Sequence, residues 1–181
     1  MAEPLNDPDA IAVDRALQGD QEAFEAIYAR HYDRVYAIAR GVLLDADEAA
    51  DAVQEVFALV HRNLRRFDRR SKFSTWLYRV AVNRAIQHGR RLQFRRRQVP
   101  LDRTAEAVAD PSPEIEAADP RVEAAMARLA PTDRAVLSLF YWDDLSVNEM
   151  AEALGCSANA AKVRLFRARE RFRAAYEGEQ Q

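Results

Sequence analysis

Residues 145–176 read LSVNEMAEALGCSANAAKVRLFRARERFRAAY, and this stretch decides the fold of the C-terminal part of the chain. Ser146 and Glu149 stand in S-x-x-E spacing. In that pattern a hydroxyl and a carboxylate satisfy each other's backbone N–H groups at a helix start. Leu154-Gly155 then stops the helix, because glycine accepts the left-handed conformation that follows a last helical turn. Ser157 is placed to cap a second helix. Helix, glycine turn and helix of this length form a helix-turn-helix pattern. Ala151, Leu154, Ala161 and Leu165 are expected to face inward, and small side chains at 151 and 161 let the helices approach closely. Asn159, Lys162, Phe166 and Arg167 recur at i, i+3, i+7 and i+8, on one exposed face flanked by Arg164 and Arg169. A DNA major groove admits such a helix. Arg and Lys read guanine there, Asn reads adenine, and an apolar ring meets the thymine methyl.

Outward from this motif, Pro131 opens a helix running to Tyr141, and residues 120–129 form another. Four of the 7 prolines (Pro100, Pro111, Pro113 and Pro120) fall in residues 98–120, a polar, acidic stretch without helical periodicity. It reads as a flexible linker of about twenty residues, able to span a few tens of ångströms. The chain therefore divides into residues 1–97, a linker at 98–119, and residues 120–181. The linker holds few apolar residues to dock the two units, so they are expected to move independently.

In the first unit, Asp20 can cap a helix with Phe24, Ile27, Tyr28, Val35, Ile38 and Val42 on one face. A second helix is expected over residues 47–66, with Val53, Val56, Phe57, Val60 and Leu64 as its apolar stripe. A basic loop at 67–72 follows. Ser74 can cap a third long helix that buries Trp76, Leu77, Val80 and Ala81. A short leading helix is expected near residues 8–18. The fold class is all-α, two helical units joined by a linker, and only 5 glycines in 181 residues argue against a turn-rich β fold.

The formal net charge of −2 conceals opposing blocks. Residues 1–61 hold 4 basic against 13 acidic side chains, whereas residues 62–97 hold 13 basic against Asp68 alone. Residues 98–123 are acidic again, and 6 basic residues crowd into 162–173 against Glu170. Two basic patches separated by an acidic stretch imply two contacts with a polyanion.

Several classes are excluded or disfavoured. A single cysteine, Cys156, rules out a disulfide framework and a cysteine-based zinc cluster. No apolar run reaches membrane-spanning length. The acidic start MAEPLNDPDA is not expected to act as a signal peptide, so the cytoplasm is the default compartment. His31, His61 and His88 form no ligand pair, and no phosphate-binding or nucleophile motif occurs. No catalytic residue, metal or cofactor is expected.

Three stretches in order carry a resemblance. DEAADAVQEVFALVHRNLRRF at 47–67 looks like a D-x-x-Q-E-x-F segment, FSTWLYRVAVNRAIQHGRR at 73–91 looks like F-x-T-W-L-x-R-I-A-x-N, and 129–172 carries the helix-turn-helix. Together they resemble the extracytoplasmic-function sigma factors, the two-domain class of bacterial RNA polymerase sigma subunits. The resemblance implies that Asp47, Glu48, Asp51, Gln54 and Glu55 bind the clamp helices of the polymerase's largest subunit, as an acidic face suits a basic protein partner. It implies contacts with the downstream (−10) promoter element, partly melted, through Phe67, Arg69, Arg70, Lys72, Phe73, Arg79, Asn83, Gln87 and Arg90. Aromatic and Arg side chains suit unstacked bases and phosphates. Upstream (−35) contacts fall to Asn159, Lys162, Arg164, Phe166 and Arg167. Further implied partners are the polymerase flap and an anti-sigma protein, with no membrane insertion. The chain departs from the family pattern at Ala160-Ala161, where Thr-Val is frequent, and at Val163, where Ser is common. The alternatives are a sigma-like mimic that titrates an anti-sigma factor without binding DNA, and an independent helix-turn-helix repressor.

Overall fold

The structure is a computed structural model that describes residues 7–98, 119–141 and 145–178. Eight helices are described: α1 (Ala10–Leu17), α2 (Gln21–Leu43), α3 (Ala46–Asn63), α4 (Phe73–Gln98), α5 (Pro120–Arg128), α6 (Pro131–Tyr141), α7 (Val147–Ala153) and α8 (Ala158–Glu177). The fold is all-α, in two helical units, with no strand among the described residues. The expected linker at 98–119 lies outside them, except for Gln98 at the end of α4 and Asp119 at the start of α5.

Most helix starts follow from their capping residues. Asp20 accepts a hydrogen bond from the Ala23 N–H at 3.2 Å. Ser157 accepts from the Ala160 N–H at 3.2 Å. The expected box at α7 is complete, since Ser146 accepts from the Glu149 N–H and the Glu149 carboxylate accepts from the Ser146 N–H at 2.9 Å. Gly155 follows at φ +61°, the left-handed turn anticipated for it.

Two boundaries differ from expectation. The second helix is capped by Asp45, which accepts from the Glu48 N–H at 3.0 Å, and ends at Asn63. Residues Leu64–Arg66 tighten into a 3₁₀ turn. Ser74 is not the cap of α4. The helix begins at Phe73, whose N–H donates to the Asp7 carboxylate at 2.8 Å, 66 residues away in sequence. A distant acceptor replaces the local hydroxyl, and no local pattern encodes it.

The first unit packs α2, α3 and α4 around Ile27, Val35, Ile38, Val42, Val53, Val56, Val60, Phe73 and Leu77, each 1% exposed or less. Each such side chain contributes about 1.5–3 kcal/mol by leaving water. Tyr28 sits at the edge of this face and is exposed. The second unit packs α5 to α8 around Met126, Leu139, Met150, Ala161 and Leu165.

The two units do not stand apart. Helix α6 packs against α2 and α4 as well as α8. Its residues Pro131 and 133–139 are all buried, so little of the helix faces solvent. A helix apolar on most sides requires neighbours on most sides. The closest approach is at Gly89, where an added Cβ would lie 3.0 Å from Cγ of Pro131 and 3.4 Å from Cδ2 of Leu43. The expectation of independent units is thus corrected. It searched the linker for docking residues, but the docking surface is on α6.

This contact can be broken at one position. Replacing Gly89 with Leu should drive a side chain into Pro131 and part the units. Small-angle scattering should then show a larger radius of gyration with unchanged helix content by circular dichroism. An unchanged radius would contradict the contact.

Candidate nucleic-acid interface

Helix α8 buries Ala161, Leu165 and Ala168 and leaves Asn159, Lys162, Arg164, Phe166 and Arg167 exposed. The five expected upstream contacts therefore share an accessible surface. Phe166 is 65% exposed and Val163 49%, so two apolar side chains stand in water among cations. Phe166 is a surface ring rather than a core ring. The helix is held by Arg171, which donates to both carboxylate oxygens of Asp133 on α6 at 2.8 Å. Arg169 departs from the expected flank. It is half-buried, with its guanidinium 4.8 Å from the Phe140 ring centre and 5.2 Å from that of Tyr141. It packs toward α6.

On α4, Arg79, Asn83, Gln87 and Arg90 form an exposed stripe, as their spacing requires. Lys72 and Arg70 are exposed in the loop before it. The aromatic members of the expected set are placed differently. Phe73 is fully buried and Phe67 is 9% exposed. Their rings form a cluster with Trp76, with ring centres 5.5–5.9 Å apart. Phe73 offers no surface to a base here, because it is the first residue of a helix that turns it into the core. Arg69 lies in the left-handed region at φ +59° and pairs with Asp14 of α1. The side chains of Arg96 and Arg97 lie outside the described residues, while Arg95 is exposed.

Four of the five expected α3 contacts, Asp47, Asp51, Gln54 and Glu55, are exposed, and Glu48 is half-buried. Glu48 is paired with His88 of α4. Glu55 lies 3.4 Å from Arg84 of α4. Positive charge on α4 therefore sits behind a negative face on α3. The histidines serve structure, and no cluster of metal-ligating side chains exists among the described residues.

Helix α7 packs against α4, and the turn that leads into α8 reaches the basic stripe. A methyl on Gly155, in the turn between α7 and α8, would lie 3.3 Å from Nη2 of Arg79 on α4. Glu149 of α7 is held below the usual carboxylate range, first by its hydrogen bonds with Ser146 and to a lesser degree by the charges of Lys72 and Arg34. The second unit also encloses an apolar cavity of about 460 Å³, lined by Val122, Met126, Leu137, Tyr141, Phe172 and Tyr176, with Arg169 and Arg173 also in its wall. Sequence reasoning passed over this cavity and over Asp7, Asp9 and Asp14. The signal present for the latter was three carboxylates within eight residues.

An all-helical chain with a helix-turn-helix and two exposed cationic helix faces is of the DNA-binding class. Residues 27–95 match the family Sigma-70 region 2, and residues 120–172 match Sigma-70, region 4. The chain is 34% identical over 173 residues to the RNA polymerase sigma-H factor of Pseudomonas aeruginosa, covering 87% of this chain and 88% of that protein. It is 30% identical over 176 residues to the ECF RNA polymerase sigma factor SigW of Bacillus subtilis, covering 89% and 92%. It is 30% identical over 182 residues to the ECF sigma-E factor of Escherichia coli, covering 94% of each. Among solved structures, CnrH in complex with the cytosolic domain of CnrY superposes with a TM-score of 0.68 at 26% identity, covering 95% of this chain and 99% of that one. The chain belongs to the ECF family of RNA polymerase sigma factors, and its role is in transcription initiation.

One acid-sensitive contact anchors the second unit. Asp119 is lowered to about 2 by its hydrogen bonds with the Arg121 side chain and N–H, and by the Tyr176 hydroxyl. A depressed carboxyl contributes stability above its unfolded value near 3.8, and that contribution is lost as pH falls through about 2. Thermal unfolding followed from pH 5 downward should therefore show a loss of stability that Asp119→Asn reduces. An identical pH dependence in the variant would contradict the assignment.

Proposed function

We propose that this chain binds core RNA polymerase, recognises two spaced promoter elements and promotes melting of the duplex, while the polymerase supplies the chemistry. The observation that carries this reading is the pair of exposed cationic helix faces, on α4 and on α8, in a chain whose α3 presents carboxylates. Asp47, Asp51 and Gln54 are the candidate clamp contacts, with Glu48 and Glu55 oriented by His88 and Arg84. Arg79, Asn83, Gln87 and Arg90, with Arg70 and Lys72, face the downstream element. Phe67 belongs to this set through the shape it gives the loop. Asn159, Lys162, Arg164, Phe166 and Arg167 face the upstream element in a major groove. The apolar cavity between α5, α6 and α8 suits an apolar segment of the flap. The place of action is the cytoplasm, and no described helix is long and apolar enough to cross a membrane. An anti-sigma protein is a further proposed partner, and the similar structure of CnrH is itself a complex, with the cytosolic domain of CnrY.

The promoter-bound form must differ from the arrangement described here. A major groove is about 12 Å wide. The turn leading into α8 lies close to Arg79, and no duplex fits between the two there. We therefore place α6 away from α2 and α4 when both elements are engaged. A mimic that only titrates an inhibitor has no use for exposed Lys162, Phe166 and Arg167, which favours the DNA-binding reading.

The direct test is transcription with purified core polymerase on a library of genomic templates. Promoter-specific transcripts are expected on addition of the chain, and their absence on every template would refute the reading. Within such a system Arg167→Ala or Lys162→Ala should cost about 1–3 kcal/mol at the upstream element and relax base preference there. An equal loss on all sequences would make the residue a phosphate contact. Asp51→Lys should weaken core-polymerase binding, and unchanged affinity would place the docking surface elsewhere.

A further inference from the structure

Residues 7–17 precede the stretch that matches the family, which begins at residue 27. Yet they hold the basic loop between α3 and α4 at its far end and at its middle. At the far end, Asp7 accepts from the Phe73 N–H at 2.8 Å and so caps α4. The other oxygen of Asp7 accepts from the Asp9 N–H at 3.0 Å, which fixes the carboxylate's orientation. Asp9 is 1% exposed and is itself anchored. It accepts from Nε2 of His31 at 2.8 Å and from Arg30 at 2.5 Å. A carboxylate only accepts, so Nε2 of His31 donates, and Nδ1 lies 3.3 Å from the Tyr78 hydroxyl. In the middle of the loop, Asp14 takes the Arg69 guanidinium through two contacts, Nη1 to Oδ2 at 3.4 Å and a shorter one from Nη2 to Oδ1. The same interaction lowers Asp14 and raises Arg69 from their usual values.

Arg69 is the one described non-glycine residue besides Leu44 with positive φ. A non-glycine residue in that region costs energy and persists where its surroundings impose it. The pair with Asp14 is such a constraint. Both side chains of the pair are 50% exposed, and an Arg whose charge is already met by a carboxylate is less well placed to neutralise a phosphate. Neighbouring Arg70, with 88% of its side chain exposed, is well placed to do so.

We propose that the N-terminal segment is a positioning element for the downstream-element loop, in which Asp7 sets the start of α4 and Asp14 holds Arg69 as an internal strut. Arg69 is thereby a positioning residue and not a DNA contact. The inference rests on the reading that this loop meets the melted promoter strand.

The experiment uses the full chain bound to core polymerase. The probe is a pool of short single-stranded DNA randomised at every position and sequenced before and after capture. Three quantities are read: enrichment of preferred over average sequences, the salt dependence of total capture, and affinity for core polymerase. Asp14→Ala and Arg69→Ala should each lower enrichment by up to about fivefold, the factor that a surface ion pair of about 1 kcal/mol corresponds to. The double variant should lose no more than either single one, and the salt slope should stay at the parent value in all three. Asp7→Ala should lower enrichment similarly, and Asp7→Asn, which keeps an acceptor for the cap, should restore it. Core-polymerase affinity should not change. The strut is overturned if Arg69→Ala reduces the salt slope by about one unit, the signature of a lost phosphate contact, or if Asp14→Ala raises it by as much. It is overturned too if the two losses add. If the parent complex enriches no sequence, or if Arg70→Ala and Lys72→Ala leave capture unchanged, the loop's promoter role falls and the strut falls with it.

Discussion

Helix α6 must be covered on most of its circumference, and the rest of the arrangement depends on that requirement. PTDRAVLSLFY carries few side chains that tolerate water, and Asp133 and Arg134 among them are buried with partners. The second unit alone covers one side of this helix through α8. The remaining surface finds its complement on α2 and α4, at Leu43 and Gly89. Burial of this face brings the helix-turn-helix against the basic stripe of α4. The hydrophobic effect, which has no preference for function, thus sets α7, with its Glu149, beside the basic stripe of α4. Glu149 lies within reach of the charges of Lys72 and Arg34.

The apolar contact gives a physical basis for the proposed two-state molecule. It closes the units, while cations on both readers favour separation when a polyanion is offered to both. In the proposed reading DNA is that polyanion, and release of its counterions supplies a driving force that weakens with salt. A connection of about twenty residues is long enough for a separation of a few tens of ångströms. The exposed carboxylates of α3 are the candidate face for a protein partner.

The local features were legible where the determinants are local. Ser146 with Glu149, Gly155, Ser157 and the exposed i, i+3, i+7 face of α8 were all readable from spacing, and the structure places them as expected. The opposing charge blocks were readable from counting. What failed has a common cause in long-range pairing. The cap of α4 comes from Asp7, so Ser74 was a reasonable but mistaken local candidate. Phe73 looked like a base contact because it lies in a basic loop, yet its backbone position turns it into the core. The pairing of Arg69 with Asp14 was not legible, because the two are 55 residues apart. The docking of the units escaped notice because α6 reads as an ordinary core helix until its whole circumference is considered.

The central claim is that the two units are closed on each other in the free chain and open on a promoter. Spin labels on exposed sites outside both readers, Ala37→Cys and Ala127→Cys in a Cys156→Ser background, report the separation directly. Pulsed dipolar spectroscopy should give one short, narrow distance for the free chain and a distance longer by tens of ångströms once core polymerase and promoter DNA are bound. A distance that is the same in both states would contradict the account.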